Sequence, residues 1–375
     1  MSSDLMQESP SMMGYMRDQG RALRDTFARR EEFCAPMRDL FASHEIEQVY
    51  FIGSGTSYNA ALYIASCFER LAKVFAVAEV PTRFIDMRLA TLTPERARKT
   101  LVVGISQSGT SVSTVAGVRA AREAGCLAVA VTDAMESLIT REVEVAVKLT
   151  CGVELIPVET RGYVVTLLEG LLMALDAGLT SGALPCEDHG RIMGQIRELI
   201  ERYDDVFDEV EAWYDANAAD FVNMERGAIA AYGLNYATAV EGELKLGETF
   251  KRPVNSYEME EMIHGPQMAF DGGTFVFLIA SNEHGIDRVP LFSSFFLDNK
   301  ITSNVYVIGD TSAAAAIELR ECDLCISKEI PALLSPLVYT LPFQMIAAKN
   351  CIAVGIDTAR RPEGKRSFAH VYSEE

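Results

Sequence analysis

Ten residues, Val102 to Ser111, restrict the fold of this chain more than any others: Val-Val-Gly-Ile-Ser-Gln-Ser-Gly-Thr-Ser. A short apolar run that breaks into Ser106, Gln107, Ser108, Gly109, Thr110 and Ser111, then continues into a helix-compatible segment, reads as a strand ending in an anion cradle. Gly109 lets the backbone turn tightly, the hydroxyls donate hydrogen bonds, and the N–H groups of a helix starting near Val112 point at whatever sits in the loop. A phosphate fits that description. A helix N-cap rich in Ser and Thr is the plainer alternative.

The same logic occurs earlier in the chain. Val49 to Ile52 is a short apolar strand that runs into Gly53-Ser54-Gly55-Thr56-Ser57, and Ala60 to Leu71 is an amphipathic helix. Further apolar runs at Val74–Val80, Leu127–Thr132 and Val143–Leu149 are separated by helical stretches such as Val112–Ala124. Strands alternating with helices at this spacing predict a parallel sheet covered on both faces, with ligands at the carboxyl ends of the strands. Tyr163–Ala177 is an apolar helix that closes this unit, and Gly178–Gly190 is the expected linker. After two helical segments from Arg191 to Asn223, a second set of strands is expected at Ala228–Tyr232, Thr274–Ala280 and Asn304–Ile308. Ala228–Gly247 repeats the pattern of Val49–Cys67, an internal duplication. The second copy has Ala280-Ser281-Asn282-Glu283 where the first has its Ser-Gln-Ser-Gly-Thr loop, so a phosphate site is expected only in the first. The predicted fold class is therefore α/β, two doubly wound domains in tandem with parallel sheets. Its parts are a helical arm over 1–45, a first domain over 46–190, a second over 191–350 and a tail over 351–375.

With 34 basic against 53 acidic residues the chain carries a formal charge of -19, which argues against nucleic acid or an anionic membrane as a partner. An anionic ligand must then be held by local dipoles and a few cations, which favours a small buried site. No apolar run is read as long enough to span a bilayer, and the polar, acidic Met1–Pro10 is not a signal sequence, so the expected location is cytoplasmic. Eight scattered cysteines fit a reducing compartment. Cys322 and Cys325 form a lone C-x-x-C without a second pair or nearby histidines, so neither a metal nor a cofactor is expected.

Candidate chemistry lies in the second half. Helical spacing from Ala237 to about Phe250 puts Glu241, Lys245 and Glu248 on one face, either as a solvated charge ladder or as part of a site. His264 follows in Met262-Ile263-His264-Gly265-Pro266, a turn that fixes the backbone beside the imidazole, whereas His44, His189, His284 and His370 sit in polar segments without such framing. A histidine with a nearby glutamate offers the two groups that proton transfer near neutral pH requires. The tail carries Arg360, Arg361, Lys365 and Arg366, a cationic cluster able to fold over an anionic substrate, with Lys365 able to form or stabilise an imine if desolvated.

Taken together, Gly55-Thr56-Ser57-Tyr58-Asn59, Ser106-Gln107-Ser108-Gly109, Glu241 through Lys245 to Glu248, His264-Gly-Pro, and Arg361 with Lys365 resemble the sugar isomerase (SIS) domain family. The resemblance is specifically to the tandem isomerase portion of glutamine-fructose-6-phosphate aminotransferase and its stand-alone relatives, and it covers roughly residues 46 to 375. It implies that Gly55, Thr56, Ser57, Ser106, Gln107, Ser108 and Ser111 hold a sugar phosphate, with Glu159, Thr160 and Lys245 completing the ligand set. It also implies that Glu248 moves a proton between C1 and C2 of the open-chain sugar and that Lys365 is the family's tail lysine. His264 would assist ring opening from a neighbouring subunit, hence a homodimer with a shared site. Two departures stand out. A glutaminase domain with its N-terminal cysteine is not expected here, and Val158-Glu159-Thr160-Arg161-Gly162 replaces the Ala-Ser-Thr-Lys usual in the synthases, so Glu159 and Arg161 are expected to alter the rim of the sugar pocket. The expected function is a deaminase, deglycase or isomerase acting on a 6-phosphorylated amino sugar or fructosamine. A non-catalytic sugar-phosphate sensor is the alternative, though no basic DNA-binding segment accompanies it.

Overall fold

The computed structural model describes residues 10–358 and His370. Ten strands form two five-stranded sheets. The first holds β1 (Gln48–Ile52), β2 (Phe75–Glu79), β3 (Thr100–Ile105), β4 (Leu127–Thr132) and β5 (Val145–Lys148) in the order β2-β1-β3-β4-β5. The second holds β6 (Arg226–Ala231), β7 (Val254–Glu258), β8 (Thr274–Ile279), β9 (Val305–Asp310) and β10 (Leu324–Ile326) in the order β10-β9-β8-β6-β7. Every pairing is parallel, and the second order is the first read in reverse with β6 in the place of β1. This duplicated doubly wound topology places a switch point beside β1 and β3, where their loops diverge.

The two faces of each strand explain the near-continuous apolar runs in the sequence. Val49, Phe51, Leu101, Val103 and Ile105 point into a core that also takes Phe275, Phe277 and Ile279 from the second sheet. Tyr50, Ile52 and Val102 face a separate outer cluster with Phe84 and Val118, and Val276, Leu278 and Val307 face another with Phe292 and Phe296. Strands buried on both faces lose the polar alternation of a half-exposed sheet. The helices Thr56–Leu71, Arg161–Thr180, Tyr236–Thr249 and Leu341–Ala353 contribute Tyr63, Leu168, Leu246 and Phe343 to the shared core, so it is continuous from one sheet to the other.

Several expectations are corrected. The linker is shorter than Gly178–Gly190, because helices Arg161–Thr180 and Cys186–Glu201 consume both its ends. Strands β7 and β10 were not expected: β7 is a partly exposed edge strand of mostly polar residues, and β10 has three residues. The C-x-x-C straddles the start of β10 with both thiols free, and burial pushes both thiol pKa values up. The Arg161–Thr180 helix is by length and composition apolar enough to cross a membrane, contrary to the sequence reading, yet 89% of its apolar window is buried inside the fold. It is a core helix.

That helix also buries Glu169 completely. Its Oε1 accepts from the Thr150 amide at 2.7 Å and the Thr150 hydroxyl at 2.6 Å, while Oε2 has no partner among the described residues. Desolvation by burial pushes the carboxyl up to about 8. The folded chain therefore keeps a proton that the unfolded chain releases near about 4.3. Stability is expected to fall as pH rises from about 4.3 to about 8, by on the order of a few kcal/mol. Urea unfolding at pH 5.5 and 8 should show that slope, and Glu169→Gln, which keeps the shape without the titration, should reduce it.

Candidate active site

The loops after β1 and β3 meet side by side, with the Ser54 and Ser113 hydroxyls 3.2 Å apart. Gly55 has φ 58° and Gly109 φ 64°, conformations that favour glycine, and a Cβ on Gly109 would lie 1.8 Å from Ser137 Oγ. Tight turns there leave the starts of the Thr56–Leu71 and Val112–Glu123 helices facing one cavity of about 510 Å³. Gly55, Thr56, Ser57, Ser106, Gln107, Ser108 and Ser111 line it, and so do Glu159, Lys245 and Glu248. The fold thus brings the hydroxyl loops of the first sheet and the charged face of the Tyr236–Thr249 helix to a single space.

Two residues named from the sequence are not in that space. Thr160 is fully buried as the N-cap residue of the Arg161–Thr180 helix, with its amide and hydroxyl both donating to Glu154. His264 is exposed and does not line the cavity of its own chain. Lys365, like Arg360, Arg361 and Arg366, lies outside the described residues. Arg161 also departs from expectation: it turns away from the rim, donating to Asp18 at 2.6 Å and stacking over Tyr15 at 4.9 Å. It ties the cavity loop to the helical arm and leaves Glu159 alone at the rim.

The histidine that lines the cavity is His370. It forms an antiparallel bridge with Ser111, and its Nδ1 lies 3.1 Å from the Thr110 hydroxyl and 3.4 Å from that of Ser108. Nothing local in the sequence marked it, because the contact is made between chain segments far apart. Asn59, at the end of the Gly55–Asn59 motif, donates its amide to Glu241 Oε2 at 2.7 Å.

Lys245 is 1% exposed and Glu241 0%. The ammonium lies 2.6 Å from Glu248 Oε1, 3.3 Å from Glu241 Oε1 and 3.1 Å from the Thr56 hydroxyl, so each of its three protons has a partner. Burial alone would lower its pKa, but the two carboxylates outweigh burial and hold it above the usual lysine range. It is a fixed cation, not an amine poised to react. Burial raises the pKa of Glu241, against the pull of Lys245. Glu248 keeps a third of its side chain exposed, and that part faces the cavity.

Comparison with known proteins gives this arrangement its context. Residues 44–168, which include both hydroxyl loops, match the SIS domain. That match spans the first sheet and covers one third of the chain. It is 24% identical over 327 residues to a glutamine–fructose-6-phosphate aminotransferase of Rhizobium meliloti, covering 87% of this chain. The alignment spans only 53% of that relative, so the chain corresponds to about half the length of the curated relatives it matches. Among solved structures, it superposes on the C-terminal domain of glucosamine-fructose-6-phosphate aminotransferase from Francisella tularensis with a TM-score of 0.83 at 19% identity, covering 96% of this chain and 100% of that one. Glucosamine-6-phosphate deaminase from Thermotoga maritima aligns with a TM-score of 0.73 at 19% identity, covering 94% and 97%. At such identities the superpositions establish a shared fold.

The second sheet has a corresponding pair of loops, after β6 and β8. Gly233, after β6, has φ 55°, close to that of Gly55 after β1. Glu283, in the turn after β8, sends a carboxylate oxygen to the Leu234 amide at 3.0 Å, linking the two loops that correspond to the cavity loops of the first sheet. Arg70 pairs with the same carboxylate at 2.7 Å. A carboxylate of the protein itself thus fills the space between these two loops. Glu283→Ala leaves the buried Leu234 amide without an acceptor, and because Arg70 is half-exposed the ion pair adds little, so a loss of about 1–2 kcal/mol in urea unfolding is expected.

Proposed function

We propose that the protein processes a 6-phosphorylated amino sugar or fructosamine, as a deaminase, deglycase or aldose–ketose isomerase using Glu248 as acid and base. The single observation that carries this reading is that Glu248 and the hydroxyl loops line one cavity. The phosphate sits against Ser106, Ser108, Ser111, Thr56 and Ser57, where two helix N-termini add N–H groups and positive dipole ends. Hydroxyls and amides suit this task in a chain of charge -19, since they bind an anion without needing a basic surface.

At the other end of the open-chain sugar, Glu248 takes a proton from carbon. For a 2-amino aldose the proton leaves C2 and returns at C1 through an enolamine, giving a C2 imine that water hydrolyses to the ketose phosphate and ammonia. For a fructosamine the proton leaves C1 and returns at C2, and hydrolysis of the C1 imine releases the aldose phosphate and the amine. Lys245 fixes Glu248 at 2.6 Å and supplies a permanent positive charge near the developing oxyanion. Acid–base work of this kind contributes factors of roughly 100 to 10,000. Because His264 faces away from its own cavity, its part in ring opening requires a second copy of the chain, and a homodimer belongs to the proposal.

A thermal-shift panel of 6-phosphosugars, followed by assays for ammonia, amine and aldose–ketose exchange on the ligands that bind, tests this reading. Stabilisation by phosphosugars but not by the unphosphorylated sugars, together with turnover, is expected. Binding without turnover across the panel would instead favour a sugar-phosphate sensor.

A further inference from the structure

Glu248 and Lys245 leave one carboxylate of the cavity wall without a task. Glu159 stands in the segment between β5 and the Arg161–Thr180 helix and lines the cavity beside them. The Gln107 amide, turned with its nitrogen toward Glu159, donates to both carboxylate oxygens at 3.0 and 2.9 Å. Behind it Gly162 leaves the necessary room, since a Cβ there would lie 2.3 Å from Glu159 Oε1. The carboxylate is therefore held in one orientation by the phosphate loop itself. A carboxylate has about four acceptor sites, and Gln107 fills two.

The charges around the cavity are unbalanced at this point. Lys245 is matched by Glu241 and Glu248, and Glu159 makes no ion pair among the described residues. The charged groups that act most strongly on Glu159 are Glu154, Glu241 and Glu248 on the negative side and Lys245 on the positive, and the cavity wall also carries Asp133 and His370. A neutral polyol can only hydrogen-bond to Glu159 and leaves it as the neutral acid, whereas a protonated nitrogen on the sugar can take the place of its proton and pair with the carboxylate. We propose that Glu159 is a specificity-determining residue that receives the protonated amine of the substrate, so that the cavity selects aminated phosphosugars over their neutral counterparts. This rests on the phosphosugar reading and narrows it, since simple aldose–ketose isomerisation of neutral sugars becomes the lesser activity.

One consequence is a proton count. Burial, then the nearby Glu154, push Glu159 up to about 8, so at pH 7 the empty cavity largely holds Glu159 as the acid. When R–NH3+ binds, the acid gives up its proton to solvent and the carboxylate pairs with the ammonium, a net release approaching one proton per ligand.

Isothermal titration of the full chain at pH 7, in two buffers of different ionisation enthalpy, reads both effects. Glucosamine 6-phosphate and a fructosamine 6-phosphate are compared with glucose 6-phosphate and fructose 6-phosphate, on the wild type and on Glu159→Gln. The wild type is expected to bind at least one aminated ligand more tightly than its neutral partner by about tenfold or more, with proton release. Glu159→Gln should bind both classes alike, release no proton, and keep its affinity for the neutral phosphosugars, which also shows that the variant is folded. Should Glu159→Gln not fold, Glu159→Ser serves for the same comparison. Equal wild-type affinities for both classes, or discrimination that survives the substitution, would overturn the assignment of Glu159 while leaving the phosphosugar site standing. Failure of the wild type to bind any of the four would overturn both.

Discussion

Glu248→Gln is expected to lower turnover by about 100- to 10,000-fold while changing the affinity for a bound phosphosugar by no more than about threefold. Glutamine keeps the size of the side chain and can still accept a hydrogen bond from Lys245, now 2.6 Å from Glu248. It cannot take a proton from carbon. In the proposed binding mode the hydroxyl loops of the first sheet hold the phosphate, so ground-state binding does not depend on the lost charge. Lys245 keeps Glu241 as its buried counter-ion, so the variant should fold normally. Steady-state rates paired with ligand titration separate the two quantities. A variant with near-normal turnover would place the proton carrier elsewhere and remove the main support for the proposed chemistry.

The parts of this molecule that sequence shows well are those fixed by local rules. The run Val102 to Ser111 names its own structure, because a buried apolar strand and a glycine with φ 64° each favour one local conformation. The spacing of Glu241, Lys245 and Glu248 fixes their shared face for the same reason. What sequence could not show depends on where segments meet. His264 has the better-framed turn, yet the fold turns it outward and brings His370 to the Ser108 and Thr110 hydroxyls. Glu159 and Arg161 are two residues apart where a loop enters a helix, and that small offset sends one to the cavity and the other to Asp18. Strand β7 escaped notice because its partly exposed edge position permits Asn255 and Ser256, which no apolar pattern would flag. The bridging of the second pair of loops by Glu283 likewise becomes visible only when the two sheets are compared.

Lys245→Met should be the most destabilising single change at the site, costing about 3–5 kcal/mol in urea unfolding. Methionine replaces the aliphatic stem at nearly the same volume, so the loss isolates the ammonium from the packing around it. Without the cation, Glu241, fully buried, keeps only its hydrogen bonds from Asn59 at 2.7 Å and Thr56 at 3.2 Å, and its raised pKa rises further. The penalty then grows with pH, because a folded state that holds Glu241 protonated loses stability as the unfolded chain releases that proton above about 4.3. A second substitution, Glu241→Gln, removes the stranded charge. The double variant should recover much of the loss and most of the pH dependence, and the difference between its stability and the sum of the single changes measures the coupling directly. Turnover should not return with stability, since Glu248 would still lack the cation that orients it. A single-variant loss under about 1 kcal/mol would show that this buried ion pair is solvated or rearranged in solution, and with it would go the fixed geometry on which the proton transfer proposed for Glu248 depends.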